Sequence, residues 1–192
     1  MNLRAHVAIR PASVTEIDTL CEIDNDASTL FERAGLYLDL PSDHEFPMNE
    51  RARWMRSLSA GRALLATGAN GAPVGFAAVD LVDDQFHLDQ LSVRTTFMRQ
   101  GVGTALLNAV VAAAREAASP ALWITTYGHL SWNRPFYERE GFTVVPEHEC
   151  GAEIVEVLRY ERCWLPFPEE RVVMRKPLGT RIAGTRDITA ST

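Results

Sequence analysis

The chain has 192 residues, 46% hydrophobic and 23% charged, which excludes a disordered or fibrous chain and suits one globular domain whose core needs no staples. Nineteen basic against 25 acidic residues leave a net charge of −6, which disfavours a nucleic-acid partner, since that binding rests on Lys and Arg neutralising phosphates. Cys21, Cys150 and Cys163 form no disulfide framework, the start lacks an apolar leader and no run has the length of a membrane span, so a cytoplasmic protein without a membrane partner is expected.

His6–Arg10 reads as a strand stopped by Pro11. Ser13 with Glu16 is a capping-box pattern, and Ile17, Leu20, Cys21 and Asp24 follow at helical spacing, predicting a helix from about Val14 to Ala27. Residues 30–50 hold Gly35, Pro41, Pro47 and the acids Glu32, Asp39, Asp43, Glu45 and Glu50, and read as a loop leading into a helix over Asn49–Ala60. Arg62–Thr67 and Pro73–Val82 are predicted strands joined by a turn-rich Gly-Ala-Asn-Gly-Ala, and Phe86–Val93 is a third. Gly101–Ala117 is a strong helix with Leu106, Leu107, Val110, Ala114 and Ala117 in one stripe. Then come a strand at Ala121–Tyr127, a short helix at Asn133–Arg139, a strand at Gly141–Val145, an amphipathic helix at Ala152–Cys163 and a last strand at Arg171–Lys176. Residues 178–192 have little to bury and are expected to form a flexible tail behind a single domain of residues 1–177. A mixed sheet with helices on both faces satisfies this order, an α/β (α+β) fold class.

Leu91–Leu107, LSVRTTFMRQGVGTALL, is a strand, a short loop and a Gly-Val-Gly opening a helix. A helix start leaves about four amides unpaired and carries partial positive charge, and glycines there let backbone approach a diphosphate closely. Gly101 and Gly103 equally well shape a tight strand-to-helix turn. Leu106 stands where a dinucleotide fingerprint needs its third glycine, and no Gly-Lys-Ser/Thr follows as in a P-loop.

The stretch resembles the acetyl-CoA-binding motif of the GNAT N-acetyltransferases, [RQ]xxGxG or [RQ]xxGxA after a strand with an L-x-V pattern. Leu91-Ser92-Val93 matches the strand and Gly101-Val102-Gly103 the loop, while Met98, followed by Arg99 and Gln100, replaces the leading Arg or Gln. SWNRPFYEREGF, Ser131–Phe142, is similar to the family's later helix-and-strand segment and resembles a bacterial subgroup with a WNxPFY motif. The family's usual Asn lies seven residues before its Tyr; here Leu130 holds that place and Asn133 stands four before Tyr137. The resemblance covers roughly Val7 to Pro177 and implies a mostly antiparallel mixed central sheet and acetyl transfer from acetyl-CoA, without a metal, to a primary amine. Leu91, Ser92 and Val93 would hold the pantetheine arm, Met98, Arg99, Gln100, Gly101, Val102, Gly103 and Thr104 the pyrophosphate, with Asn133 nearby, and Tyr137 would act as acid toward the leaving thiolate.

Such a reaction needs a neutral amine, so an ammonium must lose a proton. His87, Asp89, Leu91 and Val93 share one strand face at a period of two. His87 occupies the place of the glutamate base in the family's histone-acetylating branch, and His87 and Asp89 that of two histidines in its serotonin-acetylating branch. His87, oriented by Asp89, is therefore the expected base; a surface histidine at the head of a strand is the equal alternative. His6, His44, His87, His129 and His148 are too scattered for a metal site. In this fold the acceptor, a small-molecule or peptide amine, lies between residues 30–50 and 146–170. The second of these holds Glu147, Glu149, Glu153, Glu156, Glu161, Glu169 and Glu170, an acidic rim or a solvated helix face, and Phe31, Tyr37 and Phe46 line a pocket or pin their loop. A homodimer is compatible with this reading. The rival readings are a non-catalytic acyl-CoA-binding module of the same fold and a regulatory protein that binds a basic partner through the Glu-rich segment.

Overall fold

A computed structural model describes residues 7–38 and 40–179; His6, Asp39 and most of the expected tail, residues 180–192, lie outside the described residues. Seven strands form one sheet in the order β1-β2-β3-β4-β5-β7-β6, where β1 is Ala8–Pro11, β2 Ala63–Thr67, β3 Pro73–Val82, β4 Gln85–Val93, β5 Ala121–Tyr127, β6 Thr143–Val145 and β7 Arg171–Pro177. All neighbours are antiparallel except β4 and β5. The α-helices among the described residues are α1 Ile17–Glu32, α2 Glu45–Ser59, α3 Val102–Glu116, α4 Arg134–Arg139 and α5 Ala152–Trp164. The expected mixed, mostly antiparallel sheet with helices on both faces is what forms.

Two cores flank the sheet. The stripe of α3 (Leu106, Leu107, Val110, Ala114) packs on Ala77, Val79 and Leu88, together with Phe142 and the partly buried Phe136 and Tyr137 from the α4 region. On the other face Leu20 and Ile23 of α1 and Trp54 and Leu58 of α2 pack on Phe76 and Ala78. Ile154 and Leu158 of α5 cover Trp123 and Val173 on that same side of the sheet, and Phe46 of α2 stacks on Tyr160 of α5 at 5.8 Å. Gly75 sits where α3 meets the sheet: a Cβ there would lie 2.9 Å from the Ser92 carbonyl oxygen.

Several boundaries moved, each for a local reason. Pro11 is inside β1, because an edge strand tolerates a residue without an amide donor. The capping box forms, with the Ser13 amide donating to Glu16 at 2.8 Å, but it starts a 3-10 turn, Val14–Glu16, ahead of α1. No breaker stands after Ala27, so α1 runs on to Glu32 and ends before Gly35, at φ +83°. Helix α2 starts at Glu45, four residues earlier than expected, because the His44 Nδ1 accepts the Phe46 amide at 3.2 Å and Pro47 falls in the first turn, where its missing donor costs nothing. Leu178, assigned to the tail, is buried in the α3-side core and donates its amide to the Pro120 carbonyl at 3.0 Å.

Candidate active site

Strands β4 and β5 are registered only at Phe86 with Leu122 and His87 with Trp123. β7 pairs with the opposite edge of β5 along its whole length, and among the described residues Leu88–Val93 have no strand partner on their β5 side. The break coincides with a bulge: Ala78 pairs with Gln90 and Val79 with Leu88, leaving Asp89 as the extra residue of β4. A bulge bends its strand and re-aims side chains. A cleft of about 1560 Å³ opens there, floored by the β4 edge and bounded by α1, α2, α3, α4 and α5.

The bulge corrects the expectation that His87, Asp89, Leu91 and Val93 share a face. Leu88, Leu91 and Val93 pack with the α3-side core, whereas His87 pairs with Asp80 on the opposite face. His87 is 1% exposed, lies behind the cleft lining, and burial pushes its pKa down against the pull of Asp89 and Glu161. Its Nε2 has no hydrogen-bond partner among the described residues.

One wall is built of backbone. Leu91, Ser92, Val93, Met98, Arg99, Gly101, Gly103, Thr104, Asn133, Phe136 and Tyr137 line it. Gly101 caps α3 at φ +86° and Arg99 is also left-handed at φ +61°, so the loop turns sharply and leaves the first-turn amides of α3 without intrahelical acceptors. At Gly103 a Cβ would make only ordinary contacts, 3.7 Å to Phe136 Cζ and 3.9 Å to Val93 Cγ2, so packing does not demand glycine there. This is a fit for a diphosphate. Two expected contributors have other side-chain roles: Val102 is buried in the core and the Gln100 amide donates to the Thr96 carbonyl at 2.8 Å. The Ser92 hydroxyl donates to Asp24 at 2.6 Å. Asn133 caps α4 through its carbonyl, which accepts the amides of Phe136 and Tyr137. Tyr137 packs on Phe136 and Phe142, its hydroxyl has no partner among the described residues, and burial pushes its pKa up to about 12.

The other wall is built of side chains that converge from separate elements. Asp24 of α1, Glu50 and Arg53 of α2, Asp89 of the bulge, Thr125 of β5, Glu161 of α5 and Arg171 of β7 all line the cleft. Arg53 bonds Glu50 and places Nε 3.0 Å from Asp89 Oδ1. Arg171 bonds Glu161 at 2.6 Å, and Glu161 also accepts from the Thr125 hydroxyl at 2.7 Å. Asp24 accepts from Gln90 at 2.5 Å and from Ser92. Burial, reinforced by the neighbouring carboxylates, holds Glu50 well above the usual carboxylate range despite Arg53, and burial also raises Asp24. Of the seven glutamates in residues 146–170 only Glu161 lines the cleft, so the expected acidic rim reduces to one buried residue. Phe31 and Phe46 line it too; Tyr37, 69% exposed, does not.

The sequence profile of the Acetyltransferase (GNAT) family matches residues 18–142. The chain belongs to the GNAT acetyltransferase family. As an enzyme of this family it shares its fold with the PaiA N-acetyltransferase of Thermoplasma acidophilum, solved in complex with coenzyme A, at 15% identity over 89% of this chain and 98% of that one, with a TM-score of 0.64. An acetyltransferase of the GNAT family from Staphylococcus aureus Mu50 aligns at 15% identity over 90% and 99%, TM-score 0.67. The ribosomal-protein-S18-alanine N-acetyltransferase of Escherichia coli aligns at 16% over 94% and 99%, TM-score 0.58. Among the described residues no helix of this GNAT protein is long and apolar enough to cross a membrane.

Asp24, Glu50, Arg53, Thr125 and Arg171 were missed by sequence reasoning. One signal was present: Asp24 is an acid on the otherwise apolar stripe of α1.

Proposed function

We propose that the protein transfers an acetyl group from acetyl-CoA directly to a primary amine. The observation that carries this reading is that the unpaired β4 edge, the open start of α3 and Tyr137 line one cleft, opposite a wall of carboxyls. Leu91–Val93 would hold the pantetheine arm through main-chain groups, and Arg99–Thr104 the pyrophosphate, through the amides of the α3 start. Bound there, acetyl-CoA supplies an acetyl thioester whose C–S bond breaks as the acceptor nitrogen takes the acetyl group. Tyr137, with its pKa pushed up to about 12, stays protonated and serves as a hydrogen-bond donor to a leaving thiolate of pKa about 8.5, full transfer being uphill. Asp89 rather than His87 meets the amine and accepts the proton it loses as the N–C bond forms, because Asp89 lines the cleft and His87 does not. The Trp132–Tyr137 run is the reason for assigning the chain to the WNxPFY branch.

Acetyl-CoA at one hundred times its Kd is expected to stabilise the fold by about 2.7 kcal/mol. Gly103→Glu should abolish that shift by setting a carboxylate against the pyrophosphate, while leaving the unliganded protein folded, since a Cβ at this position makes only ordinary contacts. Thiol release with a panel of amines then separates transfer from mere acyl-CoA binding. A melting temperature unmoved by saturating acetyl-CoA overturns the reading.

A further inference from the structure

Resting on the acetyl-transfer reading above, we propose that the acceptor is an α-aminoacyl group with an apolar side chain, its amine on Asp89 and its carbonyl or carboxylate oxygen on Arg171 and Trp132. Five buried side-chain atoms of residues that line the cleft have no hydrogen-bond partner among the described residues. Asp89 Oδ2 is an acceptor, and Arg53 Nε, Trp54 Nε1, Trp132 Nε1 and Arg171 Nε are donors. Arg53 Nε already stands 3.0 Å from Asp89 Oδ1, and the Trp54 ring is seated against Phe76 in the core beneath α1 and α2. Asp89 and Arg171 remain, with side chains 3% and 8% exposed, together with the Trp132 indole. A buried polar atom without a partner is costly, and one ligand that brings both an N–H and a C=O satisfies both kinds.

The charges of the wall leave recognition to those hydrogen bonds. Burial holds Asp24 and Glu50 toward the protonated form, so near neutral pH the carboxylates of Asp89 and Glu161 balance the guanidiniums of Arg53 and Arg171. A balanced wall has no excess of negative charge with which to hold a bare ammonium. The two unfilled groups also belong to one patch. Glu161, the partner of Arg171, is near enough to act on the charges of Glu50 and Arg53, and Arg53 in turn pairs with Asp89.

The apolar side chain follows from what adjoins the two donors. Arg171 lies over the Tyr127 ring at 4.8 Å, Phe31 packs against Tyr127 and Trp132 with centroids 6.2 Å away in each case, and Leu36 and Leu165 join the same cluster. Phe31, Leu36, Trp132 and Leu165 all line the cleft. A polar side chain on the acceptor would enter this cluster unpaired.

The test compares kcat/KM for leucine, leucinamide, asparaginamide and 3-methylbutylamine, the last lacking the carbonyl group, beside the acetyl-CoA thermal shift. The better of leucine and leucinamide should be used about tenfold or more better than 3-methylbutylamine, the worth of one hydrogen bond to a charged group. Leucine ahead marks a free amino acid as the source of the group, and leucinamide ahead marks the amino end of a peptide. Leucinamide should also surpass asparaginamide, of similar size but polar, about tenfold. Because the amines differ in basicity, the variants decide whether the preference comes from the site. Arg171→Lys keeps a cation beside Glu161 but loses the Nε–H, and Trp132→Phe keeps an aromatic ring against Phe31 but loses the indole N–H. Each should cut the preference over 3-methylbutylamine about fivefold or more with the acetyl-CoA shift intact, and if one does not fold the other decides. A preference unmoved in the folded variants overturns the proposal. So does 3-methylbutylamine used as well as leucine and leucinamide, asparaginamide used as well as leucinamide, or failure of all four to react in a protein that acetyl-CoA still stabilises. Absence of the acetyl-CoA shift from wild type overturns the acetyl-transfer reading instead.

Discussion

On the wall formed by Leu91–Val93 and the first turn of α3, the groups offered to a ligand are main-chain amides and carbonyls; on the wall facing it they are charged side chains from α1, α2, β4, α5 and β7. The first wall comes from one continuous stretch of chain and needs only a strand that loses its neighbour and a loop that turns through Arg99 and Gly101. The second exists only when residues as distant as Asp24 and Arg171 are folded together, and its charges hold one another in place. The walls should therefore fail differently. Substitution on the backbone wall removes binding and spares the fold, as expected for Gly103→Glu, whereas substitution on the side-chain wall costs stability first.

The largest effect that would sharpen this contrast is expected from Arg53→Met. Its guanidinium is the shared partner of Glu50 and Asp89, with side-chain exposures of 16%, 18% and 3%. Removing one member of a buried ion pair costs about 3–5 kcal/mol, because the charge left behind is uncompensated. The low end, about 3 kcal/mol, is expected because Glu50 and Arg53 keep some solvent contact and Glu50 takes up a proton readily. Urea unfolding at neutral pH measures it, and a loss below about 1 kcal/mol would mean that the charges do not hold the wall together.

Tyr137→Phe tests the one side chain on the backbone wall that is asked to do chemistry. The ring packing on Phe136 and Phe142 is kept, and the lost hydroxyl has no partner among the described residues, so stability and the acetyl-CoA thermal shift should hold. The kcat with the acceptor should fall about a hundredfold to a thousandfold, the cost of losing one hydrogen-bond donor to developing negative charge. An unchanged kcat reduces Tyr137 to a packing residue.

The same difference decides what the sequence could disclose. Gly101-Val102-Gly103 after Leu91-Ser92-Val93 is legible because this part of the backbone wall is local, and the strand and helix periodicities legible around it suffice for the mixed sheet. The side-chain wall is not legible: nothing in the order of residues says that Glu50 and Arg53, spaced like any solvated helix pair, face Asp89. Only Asp24, interrupting the apolar stripe of α1, hinted at it. The bulge at Asp89 is equally silent, since alternation read from sequence assumes an unbroken ladder, and one extra residue moves His87 to the other face.

His87→Gln breaks or sharpens that last point, and its effect is the smallest. Burial depresses the folded-state pKa of His87, so the neutral ring is the folded form. The unfolded chain carries a histidine of pKa about 6.5. Above that pH both states hold the ring neutral and the residue contributes no pH dependence. Below it the unfolded state binds the extra proton, so wild-type stability declines as pH falls, by at most about 1.4 kcal/mol per pH unit. In His87→Gln this decline should be absent, and the stability difference between the proteins, measured by urea unfolding from pH 8 to pH 5, should change only below about 6.5. The kcat/KM profile of the variant should keep the wild-type shape, because the ring stands on the far side of the β4 bulge from Leu91 and Val93 and outside the cleft lining. If instead the variant loses an acid limb from kcat/KM while its stability profile matches wild type, His87 reaches the amine and the assignment of that chemistry to the side-chain wall is wrong.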